Sequence, residues 1–257
     1  MMLIPAERRN RIHKILHDKG IVSVSMLSAA LDVSEITIRR DLEQMEENGL
    51  LERTHGGAIL NQRIHLELLY SEKHRAHPTE KRLIGKAAAA LVEDNDTLLI
   101  HSGSTTLEIF RHLEDKRNVR IITSNMSAPL ELQNSQVELQ MIGGQFRPQS
   151  NSLVGPLAML SLAQVHSSKS FIGVDGVSLK YGLTTPNIQE AEVARMMIER
   201  TRGEVIVVAD HTKFGVVADF LSAPLEKIHT IVTDAQVNPE FVERLKALGI
   251  RMIIAEE

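Results

Sequence analysis

The chain of 257 residues contains no cysteine. That excludes disulfides, thiolate metal sites and a cysteine nucleophile, and it suits a reducing interior. No apolar run reaches membrane-spanning length, and Met1-Met2-Leu3-Ile4-Pro5 followed by charges does not read as a secretory signal. The expectation is a cytoplasmic protein with no membrane partner. An excess of positive charge is missing too: the formal net charge is -4. Nucleic-acid binding therefore has to come from a motif that places charge locally. What remains, 43% hydrophobic and 24% charged residues, is an ordinary globular composition. The length suits one large domain or a small one plus a medium one.

The most informative stretch is Val33-Ser34-Glu35-Ile36-Thr37-Ile38-Arg39-Arg40-Asp41-Leu42. Ser34 is a good N-cap, and Ile38, Leu42 and Met45 recur at i, i+4 and i+7 as one buried stripe. With that stripe inward, Glu35, Thr37, Arg39 and Arg40 stand near the helix start on the open faces. A recognition helix needs its base-reading and phosphate-gripping side chains there. Arg40 is the candidate base contact, Arg39 serves a phosphate or an internal ion pair, and Asp41 orients an arginine or a backbone amide. Before this helix, residues 6–19 form a helix with Ile12, Ile15 and Leu16 on one side, stopped by Gly20. Ile21 to Val24 is a short extended piece, and Ser25 caps a helix through Leu31. After it, residues 50–60 read as two short strands about the Gly56-Gly57 turn, with Arg53 and His55 beside the tip. Arg53, His55 and Gly56 are candidate contacts to phosphates or a minor groove.

Helix, short strand, helix, turn, helix, hairpin is a far rarer pattern than any single amphipathic helix. Residues 4–60 resemble the DeoR-type winged helix-turn-helix, on the strength of Ser34-Glu35-Ile36-Thr37-Ile38-Arg39-Arg40-Asp41-Leu42 and of Thr54-His55-Gly56-Gly57-Ala58 in the wing. The expected division is a DNA-binding domain at 1–60 (helix-turn-helix about 22–41, wing about 50–60), a polar connector at 61–77 and a second domain at 78–257. Histidines 65, 74, 77 and 101 show no metal-ligand spacing, and no metal or cofactor is expected.

From Pro78, which opens a helix to about Glu93, strands and helices alternate. Strands are expected at 97–101, 119–123, 137–142, 169–174, 205–209, 230–233 and 251–255. Helices are expected at 105–113, 128–134, 156–164, 188–200 and 239–248. Near-continuous apolar strands between helices predict an α/β domain with a mostly parallel sheet, covered on both faces. Ligands of such sheets lie beyond the carboxyl ends of the strands. Candidate effector residues there are Ser102, Gly103, Ser104, Thr105 and Thr106, an anion cradle at a helix start. Ser124 and Asn125 follow the second strand, and Gly143 and Arg147 the third. Asp175 and Gly176 follow the fourth, and Asp210 and Lys213 the fifth.

This half resembles the DeoR effector domain, similar in fold to ribose-5-phosphate isomerase. The matching stretches include Ser102 to Thr106, Gly143-Gly144, Phe171 to Gly176, Gly182 to Thr185, Glu190 to Val193 and Asp210 to Gly215. The resemblance implies a phosphorylated sugar or sugar derivative as effector, its phosphate on Ser102 to Thr106, its other end on Asp175, Asp210 and Lys213. The family often carries an acid where His101 stands. Isomerisation would need a carboxylate base, Glu190 or Glu192, and Lys213 to stabilise an enediolate. The isomerases carry further acids where this chain has Val177-Ser178, so a non-enzymatic sensor is expected, with an isomerase-like enzyme as the alternative. The implied partners are double-stranded operator DNA, the effector and further copies of the chain, as a dimer or tetramer. Relief of repression by the effector is the expected sense of control.

Overall fold

The computed structural model describes residues 4–48, 50–54, 56–60, 62–64, 67–133 and 135–257. The chain divides into two compact units, Met1–Gln62 with Asn238–Arg244, and Arg63–Val237 with Leu245–Glu257.

In the smaller unit, α1 (Pro5–Lys19) begins on a proline, whose missing N–H costs nothing in a first turn. It ends at Gly20, which adopts φ 73°. β1 (Ile21–Ser23) leads into α2 (Val24–Leu31). The cap of α2 is Ser23, not Ser25: Ser23 keeps an extended backbone and its Oγ accepts from the Met26 amide at 3.1 Å. Ser25 already lies inside the helix. Asp32 takes φ 52° at the end of α2, and Ser28 Oγ donates to the Val33 carbonyl at 2.6 Å, which closes the turn. Ser34 then caps α3 (Glu35–Glu47), accepting from the Thr37 amide. Ile12, Leu16, Leu27, Ile38, Leu42 and Met45 form the shared core.

β2 (Glu52–Thr54) and β3 (Gly57–Ile59) are antiparallel, and β3 also pairs with β1. The wing is thus a three-stranded sheet with β3 in the middle. Gly57 belongs to the strand rather than to the turn. A Cβ there would stand 1.9 Å from the Val22 carbonyl oxygen, so only glycine lets β1 approach.

The larger unit is built on a seven-stranded sheet. β4 (Gln62–Ile64), α4 (Tyr70–Arg75) and α5 (Pro78–Ala89) precede it. Then come β5 (Thr97–Ile100), α6 (Ser104–Phe110), β6 (Arg120–Thr123), α7 (Ala128–Glu131) and β7 (Glu138–Met141). A hairpin of β8 (Gln145–Arg147) and β9 (Ser152–Val154) leads to α8 (Pro156–Ala163) and β10 (Ser167–Gly173). β11 (Gly176–Ser178), β12 (Gly182–Thr185), α9 (Ile188–Glu199) and β13 (Thr201–Val208) follow. β14 (Val216–Ala218), β15 (Phe220–Ala223), β16 (Thr230–Asp234), α10 (Pro239–Ala247) and β17 (Arg251–Ala255) complete the chain.

The main sheet runs β17-β16-β13-β10-β5-β6-β7, and every pairing in it is parallel. Leu98, Leu99, Ile100, Phe171, Ile172, Ile206 and Val207 are fully buried, as expected of strands covered on both faces. The strand order reverses direction once. From β5 the chain builds outward through β6 and β7, and from β10 it builds the other way through β13, β16 and β17. The reversal lies between neighbours β5 and β10, and open parallel sheets hold ligands at such a point.

Candidate DNA-binding face and ligand cleft

On α3 the apolar stripe is wholly buried and the charged start is open: Glu35, Ile36, Arg39 and Arg40 are exposed and Thr37 half-buried. Arg39 pairs with Glu35 one turn back at 3.2 Å. Arg40 has no hydrogen-bond or ion-pair partner among the described residues. Asp41 is buried and takes the Arg8 guanidinium on both oxygens, with Nη2 at 3.1 Å, and Arg8 is held firmly charged by that bond. One turn of α3 thus separates two duties, with Asp41 locking α1 to α3 while Arg40 stays free. Arg53 in the wing is engaged, its amide donating to Glu46 at 2.9 Å and its guanidinium 3.5 Å from Glu43.

In the larger unit a cavity of about 230 Å³ opens beyond the carboxyl ends of β5, β10 and β13. His101 to Thr105 reach it after β5, Gly173 to Asp175 from the end of β10, and Asp210, Thr212 and Lys213 after β13. Gly103 sits at φ 144°, a conformation other residues rarely adopt, and starts α6. The first amides of a helix have no partner within it, so this turn offers donors to an anion. The facing wall is residues 67–77, from which Glu67, Tyr70, Lys73 and His77 line the cavity.

Charge in the cleft is tightly arranged. Lys73 Nζ lies 2.5 Å from Asp175, which also accepts from Thr185 Oγ1 at 2.9 Å. Burial alone would push the Asp175 carboxyl up, but Lys73 and the Thr185 hydroxyl hold it below its ordinary 3.8. Asp210 is held low in the same way, burial being outweighed by the charge of Lys213 and by donation from Thr212. Lys81 is buried and donates to the carbonyls of Lys73 and Ala76, so it ties down the end of α4. Its burial pushes the ammonium below its ordinary 10.5. Lys213 has no hydrogen-bond or ion-pair partner among the described residues. Behind it all, Glu190 accepts from Ser102 at 3.0 Å, Ser150 at 2.7 Å and Ser152. Among the described residues no cluster has the make-up of a metal site, and no helix is long and apolar enough to cross a membrane.

A family model described as the DeoR C terminal sensor domain matches residues 76–235, and one described as the DeoR-like helix-turn-helix domain matches residues 8–63. The chain belongs to the DeoR family of transcriptional regulators. It is 31% identical to the HTH-type transcriptional regulator GlpR of Haloferax volcanii over 98% of each chain. It is 32% identical to the transcriptional repressor AccR of Agrobacterium fabrum over 89% of each. Among solved structures, ribose 5-phosphate isomerase A from Methanocaldococcus jannaschii matches 54% of the chain and 55% of its own, at 18% identity and a TM-score of 0.40.

The residues singled out from the DeoR-like motifs fall into distinct places. Ser102, Gly103, Ser104, Thr105, Asp175, Glu190, Asp210 and Lys213 share the cavity wall. Thr106, Ser124, Asn125, Gly143, Arg147 and Gly176 do not. Thr106 Oγ1 and Asn125 Nδ2 both donate to the Gly103 carbonyl, and Ser124 Oγ accepts from the Ser102 amide, so these three brace the turn. Arg147, expected to fork a ligand anion, forks Glu67 instead and also donates to Ser150. Gly176 lets β14 approach, since a Cβ there would meet the Val216 carbonyl oxygen at 2.3 Å. Glu192 is away from the cavity. In the smaller unit Ser34, Glu35, Thr37, Arg39 and Arg40 cluster at the start of α3, and Arg53 and Gly56 lie in the wing; His55 lies outside the described residues. Sequence reasoning missed Tyr70, Lys73, His77, Lys81, Ser150, Thr185 and Thr212 in the cavity, and Ser152 behind it. Thr185 and Thr212 carried a signal, each standing in one of the family-like stretches.

Proposed function

We propose that this DeoR-family regulator represses a carbohydrate-metabolism operon and that a phosphorylated sugar or sugar derivative modulates its grip on the operator. The observation that carries the reading is the cleft at the strand-order reversal. A glycine turn with hydroxyls and helix-start amides, plus the ammonium of Lys213, which no hydrogen bond or ion pair among the described residues occupies, suits a phosphate. Asp175 and Asp210, held ionised, suit the hydroxyls of the rest of such a molecule. The cavity is sized for a small metabolite. The similarity to a relative named as a transcriptional repressor supports the sense of control.

In this reading residues 1–60 are the DNA-binding domain and 78–257 the sensing and assembling one. Arg40, Thr37 and Glu35 meet base edges, while Ser34, Arg39, Arg53, His55 and Gly56 position the head on the backbone. Dimers or tetramers bring paired heads to repeated half-sites, which multiplies a modest single-head affinity. The effector acts only through its different affinities for the DNA-bound and released arrangements. Residues 61–77, expected as a plain connector, also help to shape the sensor, because their second half walls the cleft.

The test is a gel-shift titration of the full chain on its own upstream DNA, at two salt concentrations, with and without a panel of sugar phosphates. Salt-sensitive binding released by one phosphorylated sugar, and not by its unphosphorylated form, is the expected result. Absence of salt-sensitive binding overturns the proposal.

A further inference from the structure

His101 is the residue of the cleft that the proposed reading leaves unused. It follows β5 directly, its amide bonding the Phe171 carbonyl at 2.9 Å, and it sits at the strand-order reversal. His101 is 5% exposed and lines the cavity, and neither ring nitrogen makes a hydrogen bond of ordinary geometry among the described residues, although the Glu190 and Gly173 backbones pull the ring toward its charged form. Buried polar atoms are nearly always satisfied, so two orphaned nitrogens on one ring mark a place completed by something else. The nearest charge is Glu190 on α9, with Nε2 at 3.7 Å from Oε2. Three serine hydroxyls already donate to that carboxylate. Asp175 after β10 adds a second negative charge, already neutralised by Lys73 of α4. Lys81 of α5, and Asp210 with Lys213 after β13, complete the charged wall.

Burial pushes the imidazole below its ordinary 6.5, against the pull of Glu190 and Asp175. A dianionic ligand on the adjoining turn changes that balance. It places further negative charge beside a buried carboxylate, where water is excluded and screening is weak. We propose that His101 is the proton-accepting group of the effector site, and that an anionic ligand enters together with one proton from solvent that settles on this imidazole. The imidazolium then balances the charge of Glu190, 3.7 Å from Nε2, and that of the bound anion. The inference rests on the cleft being an anion-binding effector site.

By linkage, a ligand taken up with a proton binds more weakly as pH rises, up to about tenfold per pH unit between the free and bound titration points. Isothermal titration of the full chain with ribose 5-phosphate, fructose 6-phosphate and inorganic phosphate at pH 7.5, in two buffers of different ionisation heat, reads the proton directly. Expected is a buffer-dependent heat equivalent to about one proton per ligand bound. His101→Gln keeps a donor and an acceptor but cannot be charged, so its heats become buffer-independent and its affinity flat from pH 7 to 8. His101→Asn is the second variant, and the buffer dependence of the unaltered chain needs neither. Equal heats in the two buffers, or an unchanged proton count in His101→Gln, overturn the role of His101. Failure of all three probes to bind the unaltered chain overturns the effector-site reading itself, and this inference with it.

Discussion

Lys73 and Asp175, 102 positions apart, meet at 2.5 Å across the cleft, so an ion pair joins its two walls. Breaking a largely buried pair from one side strands the other charge. Lys73→Met is expected to destabilise the larger unit by about 3 kcal/mol, the low end of what such losses cost, because both side chains keep some solvent contact. Thermal unfolding checks it. The pH dependence follows the sign of the shift. Asp175 is depressed in the folded state, so its contribution is present above 3.8 and is lost as pH falls through the lower folded value. The variant therefore shows a smaller loss of stability on acidification below pH 4 than the unaltered chain.

Arg40 and Asp41 are neighbours with opposite expectations. Arg40→Ala should cost about 1–3 kcal/mol in operator affinity if it makes a bidentate base contact, with the melting temperature unchanged. Asp41→Ala leaves buried Arg8 without its fork and should cost about 3–5 kcal/mol in stability of the head. A gel-shift titration beside a thermal melt separates the two. Unchanged affinity in Arg40→Ala would remove that residue from the proposed DNA face.

Lys213→Ala should leave operator affinity as it is and blunt release by the effector. The ammonium has no hydrogen-bond or ion-pair partner to lose among the described residues, but its charge helps hold buried Asp210 ionised, so a small drop in the melting temperature of the unliganded chain is expected. Normal release by the variant would move the phosphate site elsewhere.

Gly57→Ala tests the wing. A methyl group there runs into the Val22 carbonyl, and forcing β1 and β3 apart should cost about 1–3 kcal/mol. Gly56→Ala meets only the end of a flexible side chain and should cost less. Comparing the two melts decides whether the second glycine serves packing or turning.

Much of this was legible because the signals were periodic. The stripe of Ile38, Leu42 and Met45 on α3 and the apolar strands of the parallel sheet lie where the pattern puts them. What stayed hidden is short and two-faced. The β8–β9 hairpin and the β11-β12-β15 sheet have strands of three or four residues, too few for alternation to show. Residues 67–77 read as a solvated connector because they are polar, yet they are polar partly because they face a polar cavity. Lys81 looked like an ordinary helix lysine. Nothing local announces that its ammonium is buried on two carbonyls, since those carbonyls belong to the turn before its own helix.

The wall built by residues 67–77 bears on how such regulators exchange parts. A chimaera joined near residue 62 would carry its metabolite preference intact, since Tyr70, Lys73 and His77 travel with the rest of the pocket. One joined at residue 78 would import a foreign wall, and Asp175 would face whatever side chain came in place of Lys73. The natural seam for swapping DNA targets without changing the sensed compound therefore lies before this segment.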